Sequence, residues 1–97
     1  MYLFSNLKLR NLNLKNRIVL SPMCQYRAIE GHVQDWHFLH HSRFALGGMA
    51  LAFIEATGVM PEGRITHGCT GIWDDAHIDG LSRIVKLYKS QNVAVGI

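Results

Sequence analysis

The chain has 97 residues, 48% apolar and 18% charged, with a formal net charge of +3. That balance excludes a disordered chain, and no apolar run approaches the eighteen or more residues that a membrane span needs. A chain of this size buries only about 60–65% of the surface its unfolded form exposes, so its core is thin and one small domain is the upper bound.

The positive charge does not point to nucleic acid. Lys8, Arg10, Lys15 and Arg17 are spaced among Leu and Asn without forming a dense patch, and no RNA- or DNA-binding signature surrounds them. Cys24 and Cys69 lack CxxC spacing, which favours free thiols in a reducing compartment. Residues 1–5 carry no charged region leading into an apolar core, so no secretory signal is expected and a cytoplasmic location is.

In chain order, residues 7–14 alternate Leu with polar residues around Arg10-Asn11, the pattern of a short hairpin. Residues 18–20 read as a buried strand closed by Pro22, and residues 27–33 as a loop. Residues 34–46 predict a helix whose stripe is Trp36, Leu39, Ser42 and Leu46, with Asp35 near its positive end and Gly47-Gly48 stopping it. Residues 49–54 are continuously apolar, as in a strand buried on both faces. Residues 55–71 form a long polar segment with no predicted element. A second helix is expected over residues 75–90, with the stripe Ile78, Leu81, Val85 and Tyr88. Asp74 and Asp75 at its start and Lys86 and Lys89 near its end all suit the helix dipole. Residues 93–97 make another apolar strand.

The order is a hairpin followed by βαβαβ, hence an α/β fold with a parallel sheet and right-handed crossovers. Two helices cover one face of three strands. The other face is apolar and an edge is open, so the sheet either continues in a larger one or drives association, including homo-oligomerisation.

In such a sheet, function collects at the carboxyl ends of the strands. Those ends are Ser21-Pro22-Met23-Cys24, then Glu55-Ala56-Thr57, then whatever follows Ile97. Pro22 fixes the backbone where Ser21 and Cys24 can face a crevice. Cys24 suits a nucleophile, a metal ligand or a group tuning a cofactor, and equally a buried structural thiol. Tyr26, two residues on, is either a hydrogen-bond donor into the same pocket or ordinary loop packing. Cys69 reads as structural. His37 and His41 share a helix face beside His40, but no third ligand or HExxH spacing accompanies them, and the helices are expected to lie away from the reaction end. No metal site is expected. His67, Asp74 and Asp75 read as a polar loop and a capped helix start. Walker A and GxGxxG spacings are both absent.

Taken in order, Leu14-Lys15-Asn16-Arg17-Ile18-Val19, Ser21-Pro22-Met23-Cys24-Gln25-Tyr26, Glu55-Ala56-Thr57, Gly63-Arg64-Ile65 and Gly71-Ile72-Trp73-Asp74-Asp75 resemble the flavin-dependent ene-reductases of the old yellow enzyme type. The likeness is to the bacterial branch with a cysteine beside the flavin. It implies the amino-terminal portion of a (β/α)8 TIM barrel, with residues 1–97 an incomplete part of one FMN-binding domain. It also implies that Ser21, Pro22, Met23, Cys24 and Ala56 line FMN, that Cys24 tunes the flavin, and that Tyr26 reaches the substrate. Asn16 and Arg17 are expected to be structural. The implied reaction is hydride transfer from NADH or NADPH through FMN to an alkene conjugated with a carbonyl or nitro group. The substrate clamp and the phosphate-binding arginines of the family are expected beyond Ile97, so the 97 residues alone are expected to bind FMN weakly and not turn over. Two alternatives stay open: a non-catalytic fragment associating through its sheet edge, and a related flavin barrel enzyme such as a dienoyl reductase.

Overall fold

The computed structural model describes residues 2–97. Strands β1 (Leu7–Leu9) and β2 (Leu12–Leu14) form the expected antiparallel hairpin, with Leu7 opposite Leu14. Arg10 takes a left-handed φ of 54° at the turn. Short strands with little to bury make a hairpin marginal by itself, and this one is tied down by the residues after it. Asn16 is buried; its Nδ2 donates to the Gly48 carbonyl at 2.8 Å and its Oδ1 accepts from the Ile18 amide. Lys15 Nζ reaches the Gln91 carbonyl. Gly48 and Gln91 both precede strands, so the hairpin is fastened at the amino-terminal end of the sheet.

That sheet is three-stranded and parallel, in the order β3-β4-β7. Its strands are β3 (Val19–Leu20), β4 (Leu51–Phe53) and β7 (Ala94–Gly96), shorter than the apolar runs that announced them. The register places Leu20, Ala52 and Val95 in one row and Val19, Leu51 and Ala94 in the next. The first row faces helices α1 (Asp35–Ala45) and α2 (Ile78–Ser90), where Ala45, Met49, Ala52, Ile54, Leu81, Ile84, Tyr88 and Val93 form the core. The second row faces away from it. Residues 49–54 are therefore not buried on both faces: Leu51 and Phe53 are only half-covered. The layer that would close over them is not made by these residues.

Two further readings are corrected. On α1, Trp36, Leu39 and Leu46 are 42%, 62% and 73% exposed, while His37, His40, His41 and Ala45 are buried. The stripe is wrong because each buried imidazole has a polar neighbour that offsets its desolvation: Gln34 and Glu55 for His37, Arg43 for His40, Tyr88 for His41. On α2, Ile84 belongs to the buried face and Ile78 does not. The helix itself begins three residues later than expected, after a 3-10 turn, Asp75–His77, that Asp74 caps by accepting from the Ala76 amide.

The polar segment is not featureless. β5 (Thr57–Gly58) and β6 (Thr70–Gly71) pair in parallel, flanking a 3-10 turn at Pro61–Gly63. The Thr57 and Thr70 hydroxyls lie 2.8 Å apart across the pair. Two-residue strands are too short to leave any periodicity in the sequence.

Candidate functional site

The parallel sheet delivers all three strand ends to one side. Beyond them lies a cleft of about 320 Å³, walled by Pro22 after β3, by Phe53, Ile54, Glu55, Ala56 and Thr57 along β4 and β5, by Val59 and Ile72, and by Ile97 after β7. Pro22 and Ala56, named from different strand ends, thus meet at one cavity. Ser21, Met23, Cys24 and Tyr26 are not among its walls. They belong to the segment that leaves the cleft at Pro22. Ser21 and Met23 are exposed, Cys24 is half-buried with a free thiol, and Tyr26 is 57% exposed.

The segment is held from below. Glu55 Oε2 accepts the Gln25 backbone N–H at 3.1 Å. The Gln25 side chain accepts from Trp36 Nε1 at 2.9 Å and donates to the Met23 carbonyl at 3.0 Å. His37 Nδ1 accepts the Gln34 amide, closing a reciprocal cap at the start of α1, and His37 Nε2 lies 3.4 Å from Glu55 Oε1. Both side chains are almost completely buried. Burial pushes the Glu55 carboxyl up from its ordinary value, with the Gln25 amide pulling it back. Burial likewise holds the His37 imidazole down.

These contacts correct the placement of the helices. The first turn of α1 stands at the reaction end of the sheet, because a helix that follows a parallel strand starts where that strand stops. The sequence offers His37 only as a metal-ligand candidate and Glu55 only as part of a strand end. An acidic residue ending a continuous apolar run was the signal that could have singled it out. Among the described residues no group of three His, Cys, Asp or Glu side chains is placed to hold a metal ion.

The rest of the polar loop packs structurally. Cys69 is buried, with its sulfur accepting from the Thr66 amide. A Cβ on Gly68 would stand 2.6 Å from the Tyr26 carbonyl oxygen, so the close approach of this loop to Tyr26 requires glycine. No helix among the described residues is long and apolar enough to cross a membrane.

The walls are mostly apolar, with Pro22 and Ala56 exposed, and include no cation.

Comparison with known proteins agrees with this fold. The model of the NADH:flavin oxidoreductase / NADH oxidase family matches residues 2–97. An NADPH dehydrogenase of Geobacillus thermodenitrificans is 50% identical over 97 residues, covering 98% of this chain and 28% of that protein. The NADPH dehydrogenase of Bacillus subtilis is 40% identical, with 98% of this chain and 29% of that protein covered. Morphinone reductase superposes with a TM-score of 0.86 at 26% identity, over 97% of this chain and 25% of that one. Old Yellow Enzyme from Pichia, at 23% identity and a TM-score of 0.88, supports the fold. The chain spans a little over a quarter of the length of the curated relatives it matches. Its hairpin and βαβαβ units are the amino-terminal portion of a TIM barrel of the old yellow enzyme type, and the chain belongs to the NADH:flavin oxidoreductase / NADH oxidase family.

Proposed function

We propose that residues 1–97 form the amino-terminal part of one FMN-binding barrel domain, in a cytoplasmic enzyme that oxidises NADH or NADPH and reduces alkenes conjugated to a carbonyl or nitro group. The observation that carries this reading is the cleft at three parallel strand ends, where Pro22 and Ala56 meet. In the family this chain belongs to, that end of the barrel is where catalytic groups collect.

Pro22 and Ala56 supply one wall for the flavin, orienting it by shape and apolar contact, and Ser21 and Met23 meet it from the exposed segment on either side of Pro22. FMN, when bound, supplies the hydride chemistry. Cys24, half-buried beside Pro22, acts on the flavin's electronic environment as a polarisable neighbour and not as a nucleophile. Tyr26 projects farther out, where a phenol O–H can donate to a substrate oxygen. The apolar walls keep water from the reacting edge.

The test is made on the whole protein. Purified from cells, it is expected to show flavin absorbance that bleaches with NADPH and recovers with a conjugated enone. Cys24→Ser is expected to keep the flavin bound and shift its reduction potential. A colourless protein that gains no flavin on titration would overturn the assignment.

A further inference from the structure

Glu55 is the only acidic side chain buried among the described residues. Its oxygens face opposite sides. Oε2 takes the Gln25 amide at 3.1 Å, while Oε1 faces His37 Nε2 at 3.4 Å, a charge-range contact in which neither atom completes a hydrogen bond. Because His37 Nδ1 accepts the Gln34 amide, the imidazole proton sits on Nε2, which is the atom that faces Glu55. A polar line therefore runs from the first turn of α1, through the end of β4, to the backbone between Cys24 and Tyr26. Trp36, from the same turn of α1, holds the Gln25 side chain at the same point.

A buried carboxyl is costly to keep. A core that needed only packing would place an apolar residue after Ile54, continuing the run that precedes it. What Glu55 does that an apolar residue cannot is fix one backbone N–H in the site segment. The segment needs that, since Tyr26 is left-handed at a φ of 56° and neither Cys24 nor Tyr26 lies in a regular element.

We propose that Glu55 is a positioning residue which, braced by His37, clamps the Gln25 backbone and so sets where Cys24 and Tyr26 stand. The clamp itself is independent of the flavin. Its consequence for catalysis rests on the proposed function above.

The experiment uses the whole protein with Glu55→Ala, Glu55→Gln and, as a comparator destabilised far from the site, Ile84→Ala. Amide exchange at Gln25 and alkylation of Cys24 by iodoacetamide, both read by peptide mass, are expected to quicken about tenfold or more in Glu55→Ala, the loss of one partly buried hydrogen bond. Glu55→Gln keeps an acceptor for Gln25 but sets an amide against the His37 N–H, so it falls between. In the flavin-loaded enzyme, Glu55→Ala is also expected to shift the flavin absorbance band and raise KM more than it lowers kcat. Ile84→Ala, assayed as far below its own melting midpoint as wild type is below its midpoint, should leave all of these near wild type. Wild-type exchange and alkylation in Glu55→Ala, or equal changes in Ile84→Ala, would overturn the clamp. A protein that carries no flavin would refute the proposed function instead, and exchange and alkylation would still decide the clamp.

Discussion

Tyr26 shows how a single residue reports on its site. A bulky side chain at a φ of 56° is held in a conformation that costs about 1–2 kcal/mol for an L residue. The ring meanwhile stays exposed and so recovers little by burial. Strain of this kind persists only where the surroundings impose it. Here the surroundings are the Gln25 clamp on one side and Gly68 on the other, whose lack of a Cβ admits the Tyr26 backbone. Tyr26→Gly is therefore expected to leave the thermal midpoint unchanged or slightly higher, as relief of strain offsets the roughly 0.5–1 kcal/mol entropy penalty of glycine. The same variant should raise KM for the unsaturated substrate. A midpoint several degrees lower would show that the ring is a packing element after all. None of this was visible in the sequence. Tyr26 could be named from its place beyond a strand end, but its backbone conformation is set by partners far along the chain.

Between elements, the contact that joins α1 to α2 is polar. His41 Nδ1 and the Tyr88 hydroxyl lie 2.5 Å apart in the core, with the rings edge to face. Burial, with smaller contributions from His40 and His37, lowers His41 to about 4, and burial raises Tyr88 to about 12. Tyr88→Phe strands a buried imidazole and is expected to destabilise by about 1–3 kcal/mol, read from denaturant midpoints. The His41 shift also fixes a pH dependence. Its folded pKa lies below the ordinary 6.5, so the unfolded state binds more protons between those values. The stability it contributes is complete above 6.5 and is lost as pH falls towards 4, to a total on the order of 3 kcal/mol. His37 and His40 are lowered too and add with the same sign, while Glu55 is raised and partly opposes them. Comparing wild type with His41→Gln from pH ~7 down to ~4.5, the stability difference is expected to shrink. A constant difference would mean that His41 titrates normally in the folded state. The helices themselves were legible, because α2 has a strong apolar period and both have sound termini. The buried face of α1 was not, since a hydrophobic stripe assumes that polar residues face water. His37 and His41 meet Glu55 and Tyr88 from other elements, and His40 meets Arg43 on α1 itself.

For the whole molecule, the sheet decides what the chain can do alone. In the order β3-β4-β7 both outer strands have one neighbour, and the row Val19, Leu51 and Ala94 faces away from the helical layer. In a barrel such a row belongs to the packed interior. With that row uncovered, the 97 residues by themselves are expected to self-associate, which sedimentation would detect as mass rising with concentration. Their cleft also lacks a cation among its walls. An FMN titration of the 97 residues alone is accordingly expected to give no stoichiometric complex, and tight one-to-one binding would show that the phosphate is held by groups named here.

What the sequence determined by itself was the order of the hairpin, the two helices and the three strands of the parallel sheet, and the two strand ends that meet at the cleft. All of these follow from local periodicity and from the rule that parallel strands end together. The ordered motifs around Ser21-Pro22-Met23-Cys24 added the family. Only the tertiary structure decided that Pro22 and Ala56 share a cleft, that Glu55 grips Gln25 through a line ending at His37, and that the inner face of α1 is built of histidines. The Glu55–Gln25 and His41–Tyr88 contacts join residues 30 and 47 positions apart and the cleft joins separate strand ends, and no local pattern encodes a partner that distant.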